Sequence, residues 1–136
     1  MAIAGCGGGD DETVTKAEFT AQANAICAKT DAKRDAAVTA AFKKQEASGK
    51  GSTDAFSQEL ISTAVVPPFN QMTEELSELE APDPGAEEAA AVTAAFEKAV
   101  RHLEEVPVED LDPQVDPFGV AKAKATAFGL KKCGEI

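Results

Sequence analysis

The chain has 136 residues and is 43% apolar, but alanine supplies 27 of its residues, and Leu, Ile, Val and Phe together supply only 27 more. This composition limits the protein to one small domain with a thin core. A formal net charge of −11 disfavours a nucleic-acid partner, because a polyanion repels phosphate, and no apolar run is long enough to span a membrane.

The acidity is concentrated in one region. The stretch from Glu74 to Asp112 holds 13 acidic residues against Lys98 and Arg101, whereas the segments on either side are close to neutral. We interpret this acidic stretch either as a surface for divalent cations or a basic partner, or as a solvated surface that keeps the protein soluble.

Small residues flank the first cysteine of the chain, Cys6. The tetrapeptide from Ile3 to Cys6 resembles the lipobox of bacterial lipoproteins, which are cut before the cysteine and lipidated on its sulfur. Only five residues precede Cys6, too few for a basic n-region and an apolar h-region, so either the start is trimmed or Cys6 is an ordinary thiol. We predict that residues 1–14 form a lipobox remnant and a glycine-rich, acidic tether, and that residues 15–136 form a single helical domain.

The other two cysteines, Cys27 and Cys133, are too far apart for a C-x-x-C redox motif or a local zinc site. If Cys6 carries lipid, they remain as a pair that an oxidising compartment would join, whereas a cytosolic protein would keep them as buried thiols. A bond between them would close a loop of roughly 100 residues and, in the chain-entropy model, stabilise the fold by about 4–5 kcal/mol.

The first helix is predicted from local signals at both ends. Thr15 and Glu18 make a capping box, Val14 can pack on Phe19 as a hydrophobic staple, and the helix runs to about Ala47, before a Ser/Gly-rich run. Its predicted inward-facing positions are Phe19, Ala23, Ile26, Thr30, Val38, Ala41 and Phe42.

A second helix is predicted from about Asp54, and Pro67 and Pro68 should kink or break it. A turn at residues 81–85 leads into a third helix that ends at Pro107. The predicted buried residues of the third helix are Ala89, Val92, Phe96, Val100 and Leu103.

The last helix is predicted to begin with Asp116 as its cap and Pro117 at its first position, and to end at Gly129. Leu130 and Cys133 then fold back towards the bundle. No segment alternates with a period of two, and alanine favours helix. The predicted class is therefore all-α, a small bundle of four helices, or of five if the break at the prolines is complete.

No catalytic constellation is evident. His102 is the only histidine, and we interpret it as a surface residue. Asp110, Asp112, Gln114 and Asp116 alternate like the ligands of a calcium loop, but Val115 and Ala121 stand where glycine and glutamate are needed. A weak cation site remains a hypothesis for Glu109, Asp110, Asp112 and Asp116. The alternative is that Asp116 caps a helix and the others are solvated.

A second hypothesis places a pocket at the Pro67–Pro68 kink, because kinked helices leave gaps and bundles hold apolar ligands. The pocket would be lined by Phe56, Phe69, Met72 and Phe96. The alternative is that these side chains belong to the ordinary core.

The lipobox, the run from Phe19 to Cys27 and the closing run from Phe128 to Gly134 together give the chain a family resemblance. It resembles the small secreted lipoproteins of unknown function from bacteria with alanine-rich proteomes, especially actinobacteria. The resemblance implies export, a lipid anchor and a disulfide-closed helical domain, and it carries over no catalytic residue.

We therefore expect an extracytoplasmic lipoprotein, attached to the cell membrane through lipid on Cys6, that is not an enzyme and needs no cofactor. It would bind a protein or another component of the cell envelope, with the acidic stretch as the contact surface. The alternative function is that of a small apolar-ligand-binding protein with its pocket at the Pro67–Pro68 kink.

Overall fold

The computed structural model describes residues 13–136, so the predicted lipobox and most of the predicted tether lie outside the described residues. The helices are α1 (Lys16–Ala47), α2 (Asp54–Leu60), α3 (Val66–Glu78), α4 (Ala86–Glu105), α5 (Gly119–Phe128) and α6 (Lys131–Glu135). A π-helical turn, Ile61–Val65, joins α2 to α3, and a 3-10 turn, Val108–Asp110, follows α4. Residues 13–136 contain no strand, only an isolated bridge between Val14 and Pro82, and the all-α prediction is confirmed.

Helix α1 begins as its sequence predicts. The Thr15 amide donates to Glu18 Oε2 over 2.9 Å, and the Glu18 amide donates to Thr15 Oγ1 over 3.2 Å, which completes the capping box. The helix ends at Ala47, where Gly49 takes a left-handed conformation with φ 69°. The chain can therefore reverse into α2 without strain.

The two prolines do not interrupt the helical path. Val66 donates its amide to the Ile61 carbonyl, five residues back, so the π-helical turn widens just before the prolines. Pro67 and Pro68 then lie in the first turn of α3 and donate no amide to the preceding turn. Residues 54–78 form one continuous helical stretch. The predicted break at the prolines is therefore absent, and the irregularity at this place is the π-helical turn.

Helix α1 reaches beyond the bundle. Its buried residues are Phe19, Ala23, Cys27 and Thr30. After Thr30 no residue of α1 is buried, and the prediction that Phe42 faces inward was wrong, since its side chain is 43% exposed. Its ring lies against Phe56 of α2, edge to face with ring centres 5.3 Å apart. The helical period is right, but too few partner helices reach this end to cover it.

Helix α4 lies between α3 and α5, and all five of its predicted inward residues are buried. It is preceded by Gly85, whose φ is 109°. A Cβ at Gly85 would lie 3.1 Å from the ring of Phe128 at the end of α5. Glycine is therefore needed here both for its backbone conformation and for the close approach of the two helices.

Helix α5 begins two residues later than predicted. Asp116 Oδ1 accepts the Phe118 amide over 2.9 Å, so Asp116 closes a turn ahead of the helix, which starts at Gly119. The predicted end is confirmed, with Gly129 at φ 106° and the Leu130 amide bonded to the Ala125 carbonyl over 2.8 Å.

A disulfide between Cys27 of α1 and Cys133 of α6 closes the fold across 106 residues. Both cysteines are fully buried, and the Cys27 sulfur lies 3.8 Å from the Met72 sulfur of α3. Beside the bond, the Lys132 amide donates to Asn24 Oδ1 over 2.9 Å. The C-terminus is thus fixed to the first half of α1.

Replacing Cys27 and Cys133 together by alanine should lower the free energy of unfolding by about 4–5 kcal/mol, because the unfolded chain regains the freedom of the open loop. Urea unfolding measures the loss. Either single variant should lose nearly as much as the double variant. A reducing agent should bring the wild type down to the double variant and leave the latter unchanged; a wild type insensitive to reduction would contradict the expectation.

Candidate functional site

Cys6 lies outside the described residues, but the structure shows where the N-terminal segment meets the helical domain. The Val14 carbonyl accepts the Asp83 amide over 3.0 Å, and the Lys16 amino group lies 4.6 Å from the ring centre of Phe128. The segment therefore joins the bundle at the end formed by the turn before α4 and the last turn of α5. Because the other two cysteines are bonded to each other, Cys6 is the one cysteine of three outside that bond.

The residues of the hypothetical cation site do not converge. Glu109 and Asp110 lie in the 3-10 turn, and Asp112 Oδ1 accepts the Gln114 amide over 2.9 Å. Asp116 Oδ2 accepts from Lys122 Nζ over 2.9 Å. Between residues 13 and 136, no group of three or more Asp, Glu, His or Cys side chains is placed to hold a metal ion.

The Asp116 carboxylate accepts two hydrogen bonds that favour its charged form. Partial burial works to raise the pKa of its carboxyl group, but the hydrogen bonds from Lys122 and from the Phe118 amide outweigh burial and hold the pKa below its ordinary value. Its two oxygens are occupied by these donors, so Asp116 fixes the start of α5 rather than offering a free ligand.

The residues of the hypothetical apolar pocket are split between two places. Phe69, Met72 and Phe96 are at most 1% exposed and lie in the core, whereas Phe56 lies at the overhanging end of α1 against Phe42. The space that a ligand would need is filled by Phe118. Its ring stacks on Phe69, with centres 4.1 Å apart and planes at 15°, and lies 6.1 Å from Phe96.

The acidic stretch spans α3, the following turn, α4 and the connection to α5. Only Glu75 of its 13 acidic residues is half-buried; the others are exposed. Glu75 binds Lys29 of α1 over 2.7 Å, and Glu104 accepts from Asn70 over 3.0 Å. His102 is exposed on α4, as predicted. The stretch is therefore a broad negative surface and not a single carboxylate cluster.

A groove that the sequence did not indicate runs along α4 and α5. One part, of about 580 Å³, has alanines of α4 on one side and Val115, Pro117 and Val120 on the other. A second part, of about 510 Å³, continues towards Gly85 and Phe128, and the two parts share Ala91 and Lys124. Two large apolar side chains at the groove are open to solvent, Val115 at 61% and Val120 at 70%. The lining of this groove is mainly apolar.

None of the helices within residues 13–136 is both long and apolar enough to cross a membrane. No known protein family, curated protein or solved structure matches the chain.

The stacked phenylalanines give the next prediction. Phe118→Ala should lower the free energy of unfolding by about 3–5 kcal/mol, because it leaves a cavity beside Phe69 and Phe96. Chemical denaturation measures the change. The control is Val120→Ala two residues away, where the side chain is exposed and the expected change is within about 0.5 kcal/mol. Equal losses in the two variants would show that the ring does not fill the core.

Acid should destabilise the fold through its paired carboxylates. The hydrogen bond from Lys29 holds the pKa of Glu75 below its ordinary value, so the unfolded chain takes up this proton first as the pH falls. The stabilisation is present above the unfolded-state pKa, about 4.3, and is lost as the pH falls through the lower folded-state value. Thermal unfolding midpoints followed from neutral pH into acid should drop less in Glu75→Gln than in the wild type.

Glu78→Gln is the matched control for this titration, because Glu78 lies on the same helix and makes no ion pair within the described residues. Its acid profile should follow the wild type. An unchanged profile in Glu75→Gln would mean that the Lys29 pair does not contribute.

Proposed function

We propose that the protein is a lipoprotein of the extracytoplasmic side of a membrane that acts as a binding module without catalysing a reaction. Cys6 carries the lipid, residues 7–14 form the tether, and the helical domain presents its surface to a protein or another component of the cell envelope. At least two acyl chains on the cysteine would hold the protein on the membrane stably, whereas one would not.

The disulfide is the observation that carries this proposal. Disulfides persist in oxidising compartments and are rare in the cytosol. The bond between Cys27 and Cys133 is fully buried and joins two helices of the core, so it is a structural bond and not an exposed redox pair. An exported protein forms such a bond as it folds, and Cys6 is then the cysteine left for lipid.

Val14 marks the point at which the proposed tether joins the domain, since its carbonyl accepts the Asp83 amide. The eight residues from Gly7 to Val14 span at most about 26–29 Å when extended. This reach exceeds the diameter of a helix, about 10–12 Å. A domain held in this way at one end can turn any of its sides towards a partner.

The charges favour recognition over acid catalysis. Among the described carboxyl groups with displaced pKa values, Glu18, Glu75 and Asp116 all have them lowered, each by hydrogen bonds. A general acid needs the opposite displacement. Two solvent-exposed surfaces are suited to contacts with a partner. They are the acidic stretch and the groove along α4 and α5.

The test is the intact mass of the protein made in a lipoprotein-processing bacterial host. Residues 3–136, with their own lipobox, are joined to the n- and h-regions of a host signal peptide. The expected product begins at Cys6, carries the mass of attached lipid, and reacts with a thiol label at two positions only after reduction.

Two variants separate the parts of the proposal. Cys6→Ala should abolish cleavage and lipid without changing the labelling of the other two cysteines. Cys27→Ala should leave the lipid in place and expose one label without reduction. An unprocessed wild type with three freely labelled thiols would overturn both the anchor and the compartment.

A further inference from the structure

The groove along α4 and α5 has an apolar lining interrupted by charged side chains and one histidine. Ala91, Ala95 and Ala99 follow one another on α4 at intervals of four, and Pro117 and Val120 line the other side. Within the part of the chain that the structure describes, no serine, threonine, asparagine, glutamine or tyrosine lines either part of the groove. The groove therefore offers apolar contacts and charge, with few neutral hydrogen-bonding groups.

This lining favours a hydrocarbon chain over an extended peptide. A peptide brings an amide and a carbonyl at every residue, and each of these needs a partner once water is displaced. The backbone groups inside a helix are already bonded to one another, and His102 is the one uncharged polar side chain in the described lining. A hydrocarbon chain needs no such partners and gains from every apolar contact.

The dimensions of the groove also suit a single chain. It follows α4 from Gly85 to His102, about 25 Å at the rise of an α-helix. Distributed along this length, its two parts correspond to a channel roughly 7 Å across, whereas a helix with its side chains is about 10–12 Å wide. A helical peptide is thus too wide to enter the groove, and one extended hydrocarbon chain is not.

Three lysines border the groove and make no ion pair within residues 13–136. They are Lys16, Lys98 and Lys124. Lys98 and Lys124 both line the larger part, and Lys124 lines the smaller part together with Lys16. The carbon stem of a lysine can cover apolar surface while its ammonium group stays at the water. The groove thus combines apolar contacts below with positive charge at its rim.

The carboxylates that line the groove do not cancel this charge in its larger part. Asp116 is the one carboxylate in the described lining there, and its two oxygens accept from Lys122 and from the Phe118 amide. Glu88 lines the smaller part. The larger part therefore holds two lysines without a free carboxylate beside them.

The other carboxylates of α4 lie outside the groove. Glu97 lines a depression on the α3 side of the helix, and Glu104 accepts from Asn70 of α3. Glu87 and Glu105 are exposed and line neither part of the groove. Physiological salt screens exposed charges over about 8 Å, so these carboxylates weaken the attraction of the two lysines for an anion without reversing it.

We propose that the groove binds a single-chain lipid anion, a long-chain fatty-acid carboxylate. The hydrocarbon chain lies along the alanines and covers the exposed Val120, and the carboxylate lies at the rim within reach of Lys98 and Lys124. This ligand class rests on the binding-module part of the proposed function and not on the lipid at Cys6. It is testable with unlipidated protein, so its failure would leave the anchor to the intact-mass measurement.

The test is the binding of a fluorescent fatty acid, cis-parinaric acid, to the full chain carrying Cys6→Ala and made without lipid. The chain has no tryptophan or tyrosine, so its own emission does not interfere. We expect saturable binding of one acid per chain at concentrations where the acid is monomeric. Laurate, myristate and palmitate should displace it, and each added methylene should tighten binding about twofold to fourfold as its apolar surface is buried.

The methyl ester of the same acid tests the role of charge. The double variant Lys98→Met with Lys124→Met should bind the acid about tenfold more weakly, because two exposed charge contacts are lost, and its affinity for the ester should not change. Lys43→Met with Lys50→Met is the matched control, two exposed lysines at the far end of α1, and should alter neither affinity. Equal affinity of the starting protein for the acid and the ester would overturn the proposal.

Val120→Glu should weaken binding of the acid at least about tenfold, because it places a carboxylate against the hydrocarbon chain. Ala36→Glu is the matched control, an exposed alanine on α1, and should leave binding unchanged. Circular dichroism checks that all variants stay folded. The proposal is wrong if the monomeric acid does not bind, if binding survives Val120→Glu, or if the protein binds only to vesicles of anionic phospholipid.

Discussion

The structure depends on the covalent link between Cys27 and Cys133. Helix α6 has five residues, too few to be stable alone, and it keeps its place because it is bonded to α1 and receives the Asn24 side chain at the Lys132 amide. Its position in turn buries Leu130 and Ile136 at the end of the core. In a chain so rich in alanine, this link supplies restraint that a larger apolar core would otherwise provide.

The remaining core is organised around aromatic rings. Phe69 of α3, Phe96 of α4 and Phe118, the residue before α5, meet in the core, while alanines let the helices approach around them. The packed rings occupy the place where a ligand would contact Phe69 and Phe96. Phe69 lies four residues after the end of the π-helical turn, and its ring is stacked against Phe118.

The features that the sequence predicted correctly are those set by neighbouring residues. The capping box at Thr15, the glycine cap at Gly129 and the inward face of α4 all follow from local hydrogen bonds or from helical spacing. The exposure of Phe42 was missed because it depends on how far the other helices extend. The convergence of Phe118 on Phe69 and the groove beside α4 were missed for the same kind of reason, since each involves segments distant in the chain.

The position of the disulfide has a consequence for the fate of a cut chain. The exposed loop at residues 48–53 is a natural target for proteases, since it joins the overhanging end of α1 to α2. Cys27 lies before this loop and Cys133 far beyond it, so a single cut there leaves two fragments in one covalent molecule. A fragment held at the membrane would retain the other, and only reduction combined with unfolding would release it.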